Sequence, residues 1–365
     1  MNQDFEGMAQ FLKLILMVLA ATVAFSQPSK AEQVPDLYSA TWPVDSQSSA
    51  LRTQAIKKSF EQTLIRVSGD RNVLRSPTVR DAVEDAEQYL RRYSYQKLSA
   101  AEQMIFEKPL LLKGTFDKSS ILRLLKQASK PIWGEDRPSG IFWIAYETSG
   151  LRKIASDEVA FINAALNISA EKRGLPITMP LMDIEDQSAL EVADVWGRFE
   201  SPLERASQRY SRDYWVAGSL SRNSSQWQGS WLFTYQGRSE RFSTVGRTSF
   251  EAINAAVNRV ADSLSAKLAV VLSEHAQEIF ISVENLRDFE SFAGLQKYLN
   301  SLAMVKSASA VEVAGDTVLF KVESLTAPQN LIEAITLGNN LQRSNYGFEP
   351  IDSLRGDFHF IWETP

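Results

Sequence analysis

Residues 65–74, Ile-Arg-Val-Ser-Gly-Asp-Arg-Asn-Val-Leu, decide how the first part of the chain folds. A glycine set among Ser68, Asp70, Arg71 and Asn72 suits a phosphate-cradling loop, a carboxylate–guanidinium pair, or a break between two helices. The flanks choose between them. Upstream, Ile56, Phe60, Leu64 and Val67 recur at helical spacing, and Gly69 falls just past the last of them, where a left-handed cap is wanted. Downstream, Ser76-Pro77 offers an N-cap with proline in the first turn, and Val79, Val83, Ala86, Leu90 and Tyr93 predict a second amphipathic helix. A phosphate loop follows a strand and leads into a helix; this stretch follows a helix. It reads as a helix–helix connection.

Working outward, residues 38–44 and 110–116 read as strands, and Asp117 caps a third helix carrying Ile121, Leu124, Leu125 and Ala128. Residues 33–133 are therefore expected to form an α+β unit in the order strand–helix–helix–strand–helix. The turn-rich, charged segment 134–140 marks its boundary. In 139–276, apolar strands at 141–146, 175–181 and 215–220 alternate with helices opening at 156–158 and at Ser201-Pro202, which implies a parallel α/β layer. A hairpin at 227–235 and 238–245 turns at Gln236-Gly237, and a long helix from Phe250 to about His275 closes the unit. Residues 277–365 read as βαββαβ, a ferredoxin-like order, with a strand at 348–354 and another at 358–363. The fold class is thus α/β and α+β, in several domains.

Composition narrows the function. The 365 residues are 44% hydrophobic and 23% charged, enough apolar content for a packed core. A net charge of −5, with no block of Lys and Arg, argues against nucleic acid as partner. With no cysteine and only His275 and His359, thiolate chemistry and histidine-rich metal sites are excluded. No cofactor is implied. The apolar run 14–25 is too short to span a bilayer, and small residues at Ala24 and Ser26, or Ser29 and Ala31, offer cleavage before Gln27 or Glu32. Residues 1–31 are therefore expected to be a secretory signal peptide, with Met8 as the better start. An uncleaved anchor is the alternative. No second run of that length follows, so the mature chain is expected to carry no transmembrane segment and to reside in the periplasm.

Several word-like stretches carry a resemblance: "LIRVSGDRNVL", "PTVRDAVEDAEQYLRRYSY", "KPIWGEDRP" before "FWIAYE", "RGLPITMPLMDIEDQ", and "ASQRYSRDYWVAGSLSR" before "WQGSWLFTYQGR". Together, over about 38–272, they resemble an uncharacterised family of Gram-negative envelope proteins known as a domain of unknown function. That resemblance implies export and brings no activity or catalytic residues. More weakly, the middle unit is similar to the α/β module of curli-secretion lipoproteins and of penicillin-binding-protein activators.

Standard catalytic motifs are missing. The best enzymatic constellation is acidic: if strands 141–146 and 175–181 are parallel neighbours, Glu147 and Asp183, Glu185 and Asp186 converge at their carboxyl ends, where open α/β sheets bind ligands. Glu147, Asp183 and Asp186 would then hold Mg²⁺ or Ca²⁺ for a hydrolase, although Asp183–Asp186 also suit a helix start. Trp133 and Arg137 lie where they would lock the first unit to the second. Trp227 and Trp231 share one face of the hairpin, over the core or toward a protein or glycan such as peptidoglycan. The preferred expectation is a non-enzymatic binding or assembly factor with an envelope protein partner.

Overall fold

A computed structural model describes residues 32–223, 225–338, 340–344 and 356–363. The expected signal peptide and the strand expected at 348–354 lie outside them. Among the described residues the chain forms α/β and α+β units with 11 helices and several sheets.

In the first unit, β1 (Glu32–Gln33) and β2 (Ser39–Val44) lead into helix α1 (Ser49–Ser68). Gly69 ends α1 at φ 71, and its N–H donates to the Ile65 carbonyl. Helix α2 (Pro77–Glu84) follows. The expected continuation of α2 to Tyr93 does not occur. A 3-10 turn at Ala86–Tyr89 breaks it, and Leu90–Lys97 is a strand, β3. Tyr93 and Tyr95 prefer the pleat, and pairing with β4 outweighs the helical spacing of Ala86, Leu90 and Tyr93. Helix α3 (Ala100–Gln103), strand β4 (Leu110–Phe116) and helix α4 (Lys118–Gln127) complete the unit. The sheet is antiparallel in the order β2-β4-β3. Phe60 and Leu64 of α1 bury against Leu112, Phe116, Ile121 and Leu125.

Short strands β5 (Pro131–Ile132) and β6 (Asp136–Arg137) thread the boundary segment, and β6 pairs with β1. The middle unit then runs β7 (Gly140–Thr148), β8 (Leu151–Ile154), α5 (Ala160–Arg173), β9 (Ile177–Thr178), α6 (Ile184–Ala189), α7 (Val192–Gly197), α8 (Glu200–Gln208), β10 (Tyr214–Asn223), β11 (Gln226–Tyr235), β12 (Arg238–Gly246) and α9 (Ser249–Leu268). Its sheet order is β12-β11-β10-β7-β8, with β9 also on β7. Strands β7 and β10 are parallel and buried on both faces, which is why they read as unbroken apolar runs. Phe142, Ile144 and Val216 face α5 and α9, whereas Ile141, Trp143 and Ala217 face the small helices α6–α8. The strand expected at 175–181 shrinks to two residues, because Pro176 and Pro180 deny it ladder donors.

Helix α9 stops at Leu268, since β13 (Val270–Val271) pairs back onto β5. His275 therefore lies in an exposed bend and caps no helix.

The last unit comprises β14 (Gln277–Glu284), α10 (Phe289–Ser301), β15 (Val305–Ala314), β16 (Thr317–Ser324), α11 (Pro328–Leu337), β17 (Leu341–Arg343) and β18 (Phe358–Trp362). The ferredoxin-like expectation holds for the βαββ core and changes at its close. Strand β18 inserts beside β14, parallel to it, and displaces β17 to the edge in the order β15-β16-β14-β18-β17. The first and last units share a continuous apolar core, joined through Ile132 and Val270.

Candidate functional site: the domain junction

Three fully buried guanidiniums meet where the units join: Arg66 from α1, Arg137 from β6 and Arg173 from the end of α5. A buried cation is costly unless its donors are satisfied. Arg137 meets that requirement without a carboxylate in its bonding shell. Its Nη2 donates to the carbonyls of Arg66 (2.7 Å) and Trp133 (3.1 Å), its Nη1 to those of Arg173 (2.7 Å) and Gly174 (3.1 Å), and its Nε to Gly134 (3.0 Å). The Arg66 and Arg173 carbonyls belong to the last turns of α1 and α5. These are the orphan acceptors at the negative ends of two helix dipoles. One planar cation thus closes two helices from different units. Its face also lies 4.1 Å from the Trp133 ring centroid. Burial, with Arg66 and Arg173 as like-charged neighbours, lowers the Arg137 pKa well below its ordinary value.

The Ser68–Asn72 loop sits against this cluster. The Gly69 carbonyl accepts from Arg173 Nη2 (2.8 Å) and Ser265 Oγ (2.9 Å). Arg173 Nη1 also reaches Asp262 (2.8 Å), and Arg71 Nε donates to the same carboxylate (3.0 Å). Asp70 does not pair with Arg71; its side chain accepts from the Asn72 N–H in a local turn. The loop is the tip by which the first unit grips α9. A narrow cleft of about 40 Å³ lies nearby, bounded by all three units through Lys118, Trp133, Asp136, Val270, Met304 and Asn330. Burial raises the pKa of Asp136 there.

The other sequence candidates lie elsewhere. The expected convergence of Glu147 with Asp183 and Asp186 at two strand ends does not form: β9 stops at Thr178, well before Asp183, and the carboxylates are bound by different arginines. Glu147 bonds Arg152 (3.3 Å) across the β7–β8 turn. Asp183 and Asp186 share Arg209 (2.7 and 2.8 Å), and buried Asp186 also accepts from Tyr210 Oη (2.6 Å) and the Met182 N–H (2.9 Å). Arg209 and the α6 amides hold Asp183 far below the usual carboxylate range. Among the described residues no group of three or more His, Cys, Asp or Glu side chains is placed to hold a metal ion. Trp227 and Trp231 do share a face, and it is the core face. Trp231 is buried over Gly218 and donates to Thr244 Oγ1 (2.8 Å), and Trp227 packs on Phe161.

Sequence reasoning missed Arg66, Arg173 and Asp262. A signal existed for the first: Ser59, Thr63 and Arg66 form a polar stripe at helical spacing beside the apolar face of α1, and all three are buried. Arg173, before Gly174, looks like an ordinary cation in a last helical turn.

Comparison with known proteins adds little beyond the first unit. Residues 31–134 match a family model described as "Domain of unknown function (DUF8605)". No curated protein matches the chain. An uncharacterised protein of known structure is 11% identical, with a TM-score of 0.13, covering 36% of this chain and 95% of its own. A homoserine dehydrogenase from S. aureus is 10% identical, with a TM-score of 0.14, covering 59% of this chain and 75% of its own. Neither likeness bears on the fold or function of this chain.

Proposed function

We propose that this chain is an exported, non-enzymatic binding or assembly factor of the bacterial cell envelope, acting from the periplasm through protein contacts. The observation that carries this reading is the junction. Buried Arg66, Arg137 and Arg173 bind the first unit to the middle one, the first and last units share an apolar core so that the three form one joined body, and Asp183 and Asp186 are likewise held by Arg209. Such a body presents fixed surfaces, as an adaptor requires. Export is supported by the apolar run and small-residue cleavage positions of 1–31 and by the resemblance to Gram-negative envelope proteins. The weak similarity of the middle unit to curli-secretion and penicillin-binding-protein-activator modules points the same way. Among the described residues no helix is long and apolar enough to cross a membrane.

The test has two arms. N-terminal sequencing of the mature protein is expected to begin near Gln27 or Glu32; a cytoplasmic chain starting at Met1 overturns the envelope reading. Calorimetric titration with Mg²⁺ and Ca²⁺ is expected to give no saturable heat. Micromolar binding that disappears in Asp183→Asn would replace this reading with a metal-dependent hydrolase.

A further inference from the structure

Sheet edges invite pairing with another chain, and proteins blunt them. Two edges here are visibly blunted. At β2, the Ser39 carbonyl accepts from Arg66 Nη1 (2.6 Å). At β15, the Asn300 side chain occupies both the N–H and the carbonyl of Ala308. Strand β3 is different. Among the described residues it is an unpaired edge of the first sheet, opposite β2, and six of its eight side chains are exposed. Its one register shift lies at Leu90/Arg92, so Arg92–Lys97 is a regular strand.

The chemistry of that edge is one-sided. Leu90–Lys97 contains Arg91, Arg92 and Lys97 and no acid, on a chain whose net charge is −5. Arg52 adds a fourth cation, its guanidinium 5.8 Å from the Tyr93 ring. The acids around it are engaged: Asp117 with Arg91 (3.2 Å) and Asp36 with Lys113 (2.6 Å). Among the described residues neither Arg92 nor Lys97 is in an ion pair. Strand alternation puts Arg92, Ser94 and Gln96 on one face and Tyr93 and Tyr95 on the other, where the two rings meet edge to face at 6.0 Å.

We propose that β3 receives an extended acidic polypeptide segment, which joins the first sheet as a fourth strand. Main-chain hydrogen bonds to the open edge give affinity, and alternate side chains give specificity. Acidic residues lie opposite Arg92, and apolar or β-branched residues lie beside Tyr93 and Tyr95, the face that Lys97 shares. This assignment rests on the binding-factor reading and names the chemistry of one partner.

The test uses the mature full-length protein and a fluorescent octapeptide alternating Glu with Val and Thr, followed by anisotropy. Two further probes carry N-methyl groups on one or the other set of alternate amides. Strand addition predicts saturable binding that weakens about tenfold or more in at least one N-methylated probe. It also predicts loss of binding in the surface variant Arg92→Glu/Lys97→Glu, together with gain of an otherwise inert Lys–Val–Thr probe. Absence of saturable binding, equal affinity for all three acidic probes, or unchanged binding by the double variant overturns the proposal. Crosslinking in intact envelopes separates the two levels. If the double variant recovers the same partners as the parent, the binding-factor reading stands and β3 is not the docking edge.

Discussion

The guanidinium of Arg137 lies over the indole of Trp133, 4.1 Å from its centroid, while its five hydrogen bonds run to backbone carbonyls on both sides of the domain boundary. Helix ends here serve in place of a counter-carboxylate. Truncating Arg137 to Ala leaves several buried carbonyls unpaired at once, at about 1–3 kcal/mol each before relaxation. Arg137→Ala is expected to destabilise by about 4 kcal/mol or more, among the largest single-residue effects. Arg137→Lys keeps the charge but loses the planar fork, and is expected to cost about half as much. Urea unfolding checks both, with limited proteolysis in 134–140 reporting separation of the units. Parent-like protease resistance in Arg137→Ala would falsify the lock.

Gly69 is a second sensitive point, for two independent reasons. Its φ of 71 strains any L side chain, and a Cβ there would lie 2.5 Å from Ser265 Cβ and 3.1 Å from Trp133 Cε3. Gly69→Ala is expected to cost about 2–4 kcal/mol, the sum of backbone strain and overpacking. Gly237, also at positive φ but with nothing within 4 Å of a built Cβ, provides the control. Gly237→Ala is expected to cost only about 1 kcal/mol. Equal losses in thermal or urea unfolding would show that the junction contact contributes nothing.

These two residues also show how much of the structure was legible in the sequence. Gly69 was legible because helix termination is local: four apolar residues at helical spacing and a glycine suffice. The candidate carboxylates are not legible as separate because their meeting depends on strand length, which Pro176 and Pro180 cut short. The second helix reads too long in the sequence because Ala86, Leu90 and Tyr93 keep helical spacing across a turn into β3. The buried partnership of Arg66 and Arg173 was hidden for a different reason. Their acceptors are backbone carbonyls and residues of other units, and backbone carbonyls have no sequence signature.

Asp117 gives the chain a defined response to acid. Its carboxylate accepts from Ser119 Oγ and from the Ser120 N–H at the start of α4, and Arg91 lies beside it, so its pKa falls to about 2. The folded value is depressed below the unfolded one. Its contribution is therefore complete above the ordinary carboxylate value near 4 and is lost as pH falls toward about 2. Asp117→Asn is expected to lower the urea midpoint at pH 7, with the gap between variant and parent closing below about pH 3. A gap of constant size from pH 7 to pH 2 would show that the Asp117 charge is immaterial to the cap.

Asn300 tests the rule that this fold blunts its edges on purpose. From the end of α10, its amide oxygen accepts the Ala308 N–H (3.0 Å), and its amide nitrogen donates to the Ala308 carbonyl (3.1 Å). A neighbouring strand would make the same pair of bonds. The flanking segment would otherwise be adhesive, because Val311 and Val313 are half or more exposed. The register shifts at Val305/Ser307 and Ala310/Glu312 bend the strand but leave the backbone at Ala308 available to a partner. Asn300→Ala removes the plug with little effect on α10, at a cost of about 1–2 kcal/mol for two unpaired backbone groups. The variant is expected to form concentration-dependent dimers or larger species in analytical ultracentrifugation while the parent stays monomeric. Pairing through β15 would then be suppressed by adding Ala310→Pro, which removes a backbone donor and blocks an incoming strand. An Asn300→Ala protein that remains as monomeric as the parent would show that the bends alone protect this edge and that the amide serves only to anchor α10.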